Sequence, residues 1–221
     1  YFNDNNKFLF SSDLLALNQI LDKPVSQKSI LNYLSYSYIP APYSIFSEIH
    51  KLCPGQQIII KNNKINKNNY WNLSLEDRAF QNSEAIIELE KKLYNSVKYQ
   101  LRSDVPLGVL LSGGLDSSSI VKIIRELYTK KEIIAFNASF ENKDGLDNKF
   151  AKIISKEFSL NLQSLLINDE SFDNAYLEIL PFLDEPLADS ALIPNYLLSK
   201  KANTMGIKVL ISGAGGDEIF G

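Results

Sequence analysis

The stretch Val105-Pro106-Leu107-Gly108-Val109-Leu110-Leu111-Ser112-Gly113-Gly114-Leu115-Asp116-Ser117-Ser118-Ser119-Ile120-Val121 decides how this chain folds. Residues 106–111 are a short apolar run, residues 112–119 are small and polar, and from Ile120 onward the pattern turns amphipathic. That order spells a buried strand, a tight glycine-rich turn and a helix, read here over 118–128. A helix start carries N–H groups without intrahelical partners and the positive end of the peptide dipoles. Gly113 and Gly114 let the backbone come close to a ligand and the serine hydroxyls add donors, so the turn suits phosphate. Asp116 would repel phosphate unless a cation bridges the two, which makes a magnesium–nucleotide complex the economical reading. The turn has neither the Gly-Lys-Ser/Thr ending of a Walker loop nor the G-x-G-x-x-G of a dinucleotide fold. The bland alternative is a strand–helix turn that only packs.

Downstream the pattern alternates. Strands are expected at Ile133–Phe140, Leu162–Ile167 and Lys208–Ile211, and helices at Asn148–Phe158, Phe172–Leu180 and Ile193–Met205. Such alternation predicts an α/β fold: a parallel sheet with helices on both faces and ligands beyond the carboxyl ends of its strands. A second loop, Ser212-Gly213-Ala214-Gly215-Gly216-Asp217-Glu218, repeats the first: apolar strand, small turn, acid. Asp116 and Asp217 would then face one another across a nucleotide, and two hard oxygen ligands plus phosphate suit Mg²⁺. An exposed turn with an N-capping acid is the competing reading. Between the loops, Asp184-Glu185-Pro186-Leu187-Ala188-Asp189-Ser190 either lines a second-substrate pocket or is a solvated connection.

Upstream, a strand is expected at 8–10 after a turn at 3–6, then helices at Leu14–Gln19 and Ser29–Tyr36, with Ser26 among the capping residues. Ile39-Pro40-Ala41-Pro42 must be extended. Tyr33, Tyr36, Tyr38 and Tyr43 read as core and rim packing rather than a docking surface. A hairpin pairs Gln56–Lys61 with Lys64–Tyr70 around Asn62-Asn63. His50 and Cys53 could form a catalytic pair, but a lone Cys and a lone His three residues apart are more often structural, and they cannot make a zinc cage. The polar run 69–82 marks a domain boundary, placed at 75/76, before a long amphipathic helix from Ser83.

With 221 residues, 45% hydrophobic and 22% charged, the composition is that of a globular protein of one large or two small domains. The net charge of −3 argues against a nucleic-acid binder with a broad basic surface. One cysteine excludes an intrachain disulfide framework and fits a reducing, cytoplasmic setting. No apolar run is long enough to span a bilayer, which argues against a membrane protein. The lack of an opening Met and the end at Gly221, directly after a motif, lead us to expect a piece of a longer chain.

Ser-Gly-Gly-x-Asp-Ser after a strand resembles the pyrophosphate loop of the ATP pyrophosphatase enzymes, which cleave ATP between its α and β phosphates. Ser-Gly-Gly-Leu-Asp-Ser-Ser (112–118), Asp-Glu-Pro-x-Ala-Asp-Ser (184–190) with Pro194, Tyr196 and Leu197-Leu198-Ser199, and Ser-Gly-Ala-Gly-Gly-Asp-Glu (212–218) together resemble glutamine-hydrolysing asparagine synthetases. Tyr38-Ile39-Pro40-Ala41-Pro42, Ile45-Phe46, Ile49-x-Lys51-Leu52-x-Pro54-Gly55 and Tyr70-Trp71 are similar to the end of that family's glutaminase domain and its linker. The resemblance implies two domains. Residues 1–75 would be the C-terminal part of an N-terminal-nucleophile glutaminase domain of α+β type, and 76–221 the start of an ATP-binding synthetase domain.

It further implies that aspartate is activated by ATP as an acyl-adenylate and attacked by glutamine-derived ammonia, in a soluble enzyme for which a homodimer is allowed. Ser112, Gly113, Gly114, Asp116 and Ser117 would hold the pyrophosphate with Mg²⁺. Leu110 and Ala138 would flank the adenosine, Ser212 and Gly213 would touch ATP, and Asp217 would be the second magnesium ligand. Asp184, Glu185, Asp189 and Ser190 would line the acceptor's pocket. Two departures stand out. The family's amino-terminal cysteine lies upstream of Tyr1, so this stretch by itself is not expected to hydrolyse glutamine. Ala214 stands where some members carry a glutamate. Either that acid's role is supplied elsewhere or dispensable, or the acceptor is not aspartate. A relative acting on another carboxylate, such as a sugar acid or a β-lactam precursor, and a nucleotide-binding module without catalysis are the rivals.

Overall fold

The structure is a computed structural model and describes residues 1–4, 7–62, 64–74, 82–129, 132–141 and 146–220. In chain order its elements are β1 (Phe2–Asn3), β2 (Phe8–Leu9), α1 (Leu14–Leu21), α2 (Gln27–Tyr36), β3 (Gln56–Lys61), β4 (Lys64–Asn69), α3 (Asn82–Gln100), β5 (Leu107–Leu110), α4 (Leu115–Leu127), β6 (Ile134–Phe140), α5 (Leu146–Glu157), β7 (Asn161–Ile167), α6 (Asp169–Ile179), a 3₁₀ turn (Leu180–Phe182), α7 (Leu192–Thr204), β8 (Val209–Ile211) and α8 (Gly216–Phe220). They form two compact units: Tyr1–Arg78 with Ile179–Ser190, and Ala79–Glu178 with Ala191–Gly221. The boundary expected at 75/76 and the turn residue Asn63 lie outside the described residues. Among the described residues no helix is long and apolar enough to cross a membrane.

The second unit is the α/β layer. Its four strands run in the order β7-β6-β5-β8, all parallel. Buried strands read as near-continuous apolar runs because helices cover both faces. Val109 of β5 with Leu111 just after it, Ala135 of β6 and Ile211 of β8 share one core with Val97 of α3 and Leu101 just after it, Val121 and Ile124 of α4, and Ala151 of α5. The alternate residues point the other way: Leu110, Phe136 and Leu210 pack with Leu198 and Ala202 of α7. Phe136 is fully buried, which is worth about 2–3 kcal/mol for a ring of that size.

The order β7-β6-β5-β8 has a functional consequence. The chain builds outward from β5 to β6 and β7, then returns to lay β8 on the opposite side of β5. The junction of β5 and β8 is therefore the topological switch point of the sheet, and open α/β sheets bind ligands beyond the carboxyl ends of the strands at such a point. Val109 pairs with Ile211, so the loops that follow leave the sheet side by side.

In the first unit, Phe2, Leu17 and Ile49 form a small core with Leu9, Leu14, Leu21 and Phe46 around it. The strand expected at 8–10 forms as β2, and its antiparallel partner β1 was not foreseen; a two-residue strand shows no periodicity. α2 is capped by the Ser26 hydroxyl, which accepts from the Ser29 N–H. Of the four tyrosines read as core and rim, Tyr33 is half-buried and Tyr36, Tyr38 and Tyr43 are exposed. The β3–β4 hairpin forms in the expected register, Gln56 opposite Asn69 and Lys61 opposite Lys64.

Candidate functional site

The site grows from the junction of β5 with its loop. Leu111 N–H donates to the Phe136 carbonyl at 2.8 Å, and the Leu111 carbonyl accepts from Asn137 Nδ2 at 2.9 Å. Both polar groups of the last apolar residue are thus held by β6, which fixes where Ser112 starts. Gly113 then takes φ +89°, a left-handed turn that an L side chain would strain. Ser112 Oγ accepts the Gly114 N–H at 3.2 Å and lies 3.0 Å from Ser117 Oγ. Ser117 Oγ donates to the Gly114 carbonyl at 3.2 Å. The two hydroxyls therefore tie the loop across its own base.

Helix α4 starts at Leu115, three residues earlier than the amphipathic pattern indicates. Its N-cap is Gly114, which offers no side-chain acceptor. The first-turn N–H groups are consequently uncapped and open to an anion from outside. Asp116 sits in that first turn, half-buried, with no hydrogen bond or ion pair among the described residues. A half-buried carboxylate without a counter-charge is an uncomfortable arrangement, and it fits a site for a cation.

The second loop is built by the same device. Ser212 Oγ accepts from the Ala214 N–H at 3.3 Å, two residues on, as Ser112 does from Gly114. Gly216 N–H then donates to the Gly213 carbonyl at 3.2 Å. Residues 216–220 turn into α8, a helix that the reading of 212–218 as a turn did not include; five residues are too few to show a period. The two loops touch. A Cβ placed on Gly213 would lie 3.1 Å from Asp116 Cβ and from Ser117 N, and one placed on Gly216 would overlap the Asp116 carboxylate.

The sheet brings the other expected nucleotide contacts together. Leu110 and Ala138 are half-buried on the face covered by α7, near the carboxyl ends of the adjacent strands β5 and β6. Asp217 is exposed at the start of α8 and Ala214 is exposed beside it. For a divalent cation the donor set is apt: Asp116 and Asp217 supply hard oxygens, the serine hydroxyls add neutral ones, and phosphate would supply the rest. No group of three or more His, Cys, Asp or Glu that could cage a metal occurs among the described residues.

The acidic segment is placed differently. Asp184 and Glu185 belong to the first unit. Asp184 Oδ2 accepts the Leu14 N–H at 3.0 Å, and Glu185 accepts the Ile45 N–H at 3.3 Å and pairs with Lys51. The Ala188 N–H donates to the Ser37 carbonyl at 2.8 Å. Asp189 and Ser190 are exposed. His50 packs its ring against Tyr1, and Cys53 is a half-buried free thiol with no hydrogen bond to His50 among the described residues. Asn137 was not foreseen as a member of the site. Its signal was a lone amide in an otherwise apolar strand, and it is 2% exposed with Oδ1 unpartnered.

Comparison with known proteins gives the arrangement its context. The asparagine synthase profile matches residues 88–221, and the glutamine amidotransferase domain profile matches residues 1–71. Glutamine-hydrolyzing asparagine synthetase 2 of Methanocaldococcus jannaschii is 34% identical over 100% of this chain and 44% of its own length. Glutamine-hydrolyzing asparagine synthetase 1 of Bacillus subtilis is 30% identical over 98% of this chain and 34% of its own. Amidase chyE of Penicillium rubens is 25% identical over 80% of this chain and 29% of its own. The chain thus spans less than half the length of these relatives.

Proposed function

The chain belongs to the asparagine synthase family, and from that premise we propose that it serves an ATP-dependent amidotransferase making asparagine from aspartate. The carboxylate oxygen of the acceptor attacks the α-phosphorus of ATP and pyrophosphate leaves. Ammonia, released from glutamine by the amidotransferase part of the protein, then attacks the acyl carbon of β-aspartyl-AMP, and AMP departs. The reason for adenylation is elementary: AMP is a good leaving group where oxide is not.

The observation that carries this reading is the contact of the two loops around the unpartnered Asp116. The uncapped N–H groups of α4 and the hydroxyls of Ser112 and Ser117 bind and orient the departing pyrophosphate. Gly113 and Gly114 keep side chains out of its way. Leu110 and Ala138 flank the adenosine, and Ser212 and Gly213 border the nucleotide from the second loop. Asp116 and Asp217 would hold Mg²⁺, which neutralises charge building on the leaving group. Asp189 and Ser190 are assigned to the acceptor's pocket. Asp184 and Glu185 are assigned with them, although their carboxylates already serve backbone N–H groups and Lys51 of the first unit.

A second reading is favoured by Ala214, which cannot move a proton where some family members carry a glutamate: a related amidotransferase that adenylates another carboxylate. The relative named amidase chyE is compatible with such a spread of acceptors. Pyrophosphate release measured with ATP, Mg²⁺, ammonia and a panel of acids separates the readings. Release that depends on aspartate supports the first, release with another acid the second, and ATP binding without turnover supports a non-catalytic module. Asp116→Asn is expected to slow release by about 100-fold or more, and unchanged release would sink the assignment of Asp116.

A further inference from the structure

The glycines of the second loop answer two different demands. Gly215 has φ +97° and nothing within 4 Å of where its Cβ would sit, so backbone conformation requires it. Gly216 has no such conformation to excuse it. A Cβ there would stand 2.2 Å from Asp116 Oδ2, 2.5 Å from Cγ and 3.1 Å from Oδ1. Atoms at ordinary contact stand about 3.5 Å apart or more, so the Asp116 carboxylate occupies the volume that any L side chain at 216 would fill.

We propose that Gly216 is a positioning residue for the Asp116 carboxylate, and that its missing side chain sets where that carboxylate can hold a divalent cation beside the nucleotide. The inference rests on the reading of Asp116 as a metal ligand. A methyl group at 216 forces Asp116 into another χ1 rotamer, since χ1 sets where Cγ lies and its staggered wells leave no small adjustment that relieves a 2.5 Å approach. Its oxygens then move by an ångström or more, whereas Mg²⁺ demands near-ideal octahedral geometry at about 2.0–2.1 Å. Gly213 leaves room for the same residue, since a Cβ placed there would stand 3.1 Å from Asp116 Cβ.

Calorimetric binding of ATP to the chain, with Mg²⁺ and with EDTA, tests this. Mg²⁺ should tighten ATP binding to the parent protein. Gly216→Ala should lose about tenfold of that gain and keep its affinity in EDTA within about twofold, because the metal-free contacts are untouched. Gly206→Ala, at φ +76° with open space around it, should strain the backbone yet keep the gain. In an Asp116→Asn background, Gly216→Ala should have no further effect on the gain. The full gain in Gly216→Ala, or the same loss in both backgrounds, overturns the proposal. A parent protein showing no Mg²⁺ gain overturns the metal reading as well, which separates the two failures. Should Gly216→Ala melt far below the parent, adding Asp116→Ala must restore the melting temperature of Asp116→Ala alone. Failure to restore it also overturns the proposal.

Discussion

At the scale of single residues, much of the site was legible because chemistry imposed composition. Glycines, serines and an acid after a strand spell a tight turn that either suits an anion and its cation or only packs, and Ser112, Asp116 and Ser117 could be picked out as candidates from that pattern. Asn137 and Gly216 could not. The worth of Asn137 lies in a hydrogen bond to Leu111, 26 positions away, and that of Gly216 in a carboxylate on another loop. Replacing Asn137 by Ala removes the donor to a buried carbonyl and leaves a gap. The expected loss is about 1–3 kcal/mol in urea unfolding, with weaker ATP binding because Ser112 loses its anchor. Glu178 offers a test on the surface. Hydrogen bonds from Lys200 and then from Tyr196 hold its carboxyl below the ordinary value. A depressed acid stabilises the fold above its unfolded pKa, and that stabilisation is lost as pH falls through the folded value. Glu178 should therefore titrate below the other exposed glutamates by NMR, and Lys200→Met should raise it. A titration unmoved by that change would show that the pair does not form.

At the scale of elements, the alternation of apolar runs and helical stripes disclosed the parallel sheet, since strands covered on both faces leave a strong signature. Helix starts were harder. The first turn of α4 is small and polar, so the apolar stripe appears only from Ile120, after the helix has begun at Leu115. The far end of α4 has another job. Arg125 donates from Nε to the Phe158 carbonyl, from Nη2 to Ser159 and from Nη1 to Tyr128. Those carbonyls close the turn between α5 and β7 and the end of α4 itself. Arg125→Lys keeps the charge but cannot reach all three, and should cost about 1–3 kcal/mol of stability. ATP affinity should hold, because this contact lies at the opposite end of α4 from the loop.

At the scale of the whole molecule, one cut in the sequence does not describe the units. Ile179–Ser190 is late in the chain yet belongs with residues 1–78. Nothing in its composition says so: an acidic, proline-containing stretch reads as a loop, and its partners Leu14, Ile45 and Lys51 are more than a hundred positions away. Lys51→Met removes the cation from Glu185, a half-buried carboxylate whose remaining partner among the described residues is the Ile45 N–H. The first unit should lose about 1–2 kcal/mol, between the values for exposed and buried pairs, seen as a lower melting temperature. An unchanged melt would show that the segment is held by its backbone bonds alone.

The late arrival of β8 beside β5 also sets a schedule. Asp116 and the glycines that seat it are about 100 residues apart, so a ribosome adding about 5–20 residues per second needs roughly 5–20 s to pass from one to the other. During that interval the first loop has been made and its neighbouring strand β8 has not. A nascent chain can bury β5 against β6 and α4, but it cannot close the clamp. Under the proposed function, nucleotide binding awaits the second loop, and a chain interrupted before residue 209 would carry the first loop without its neighbour.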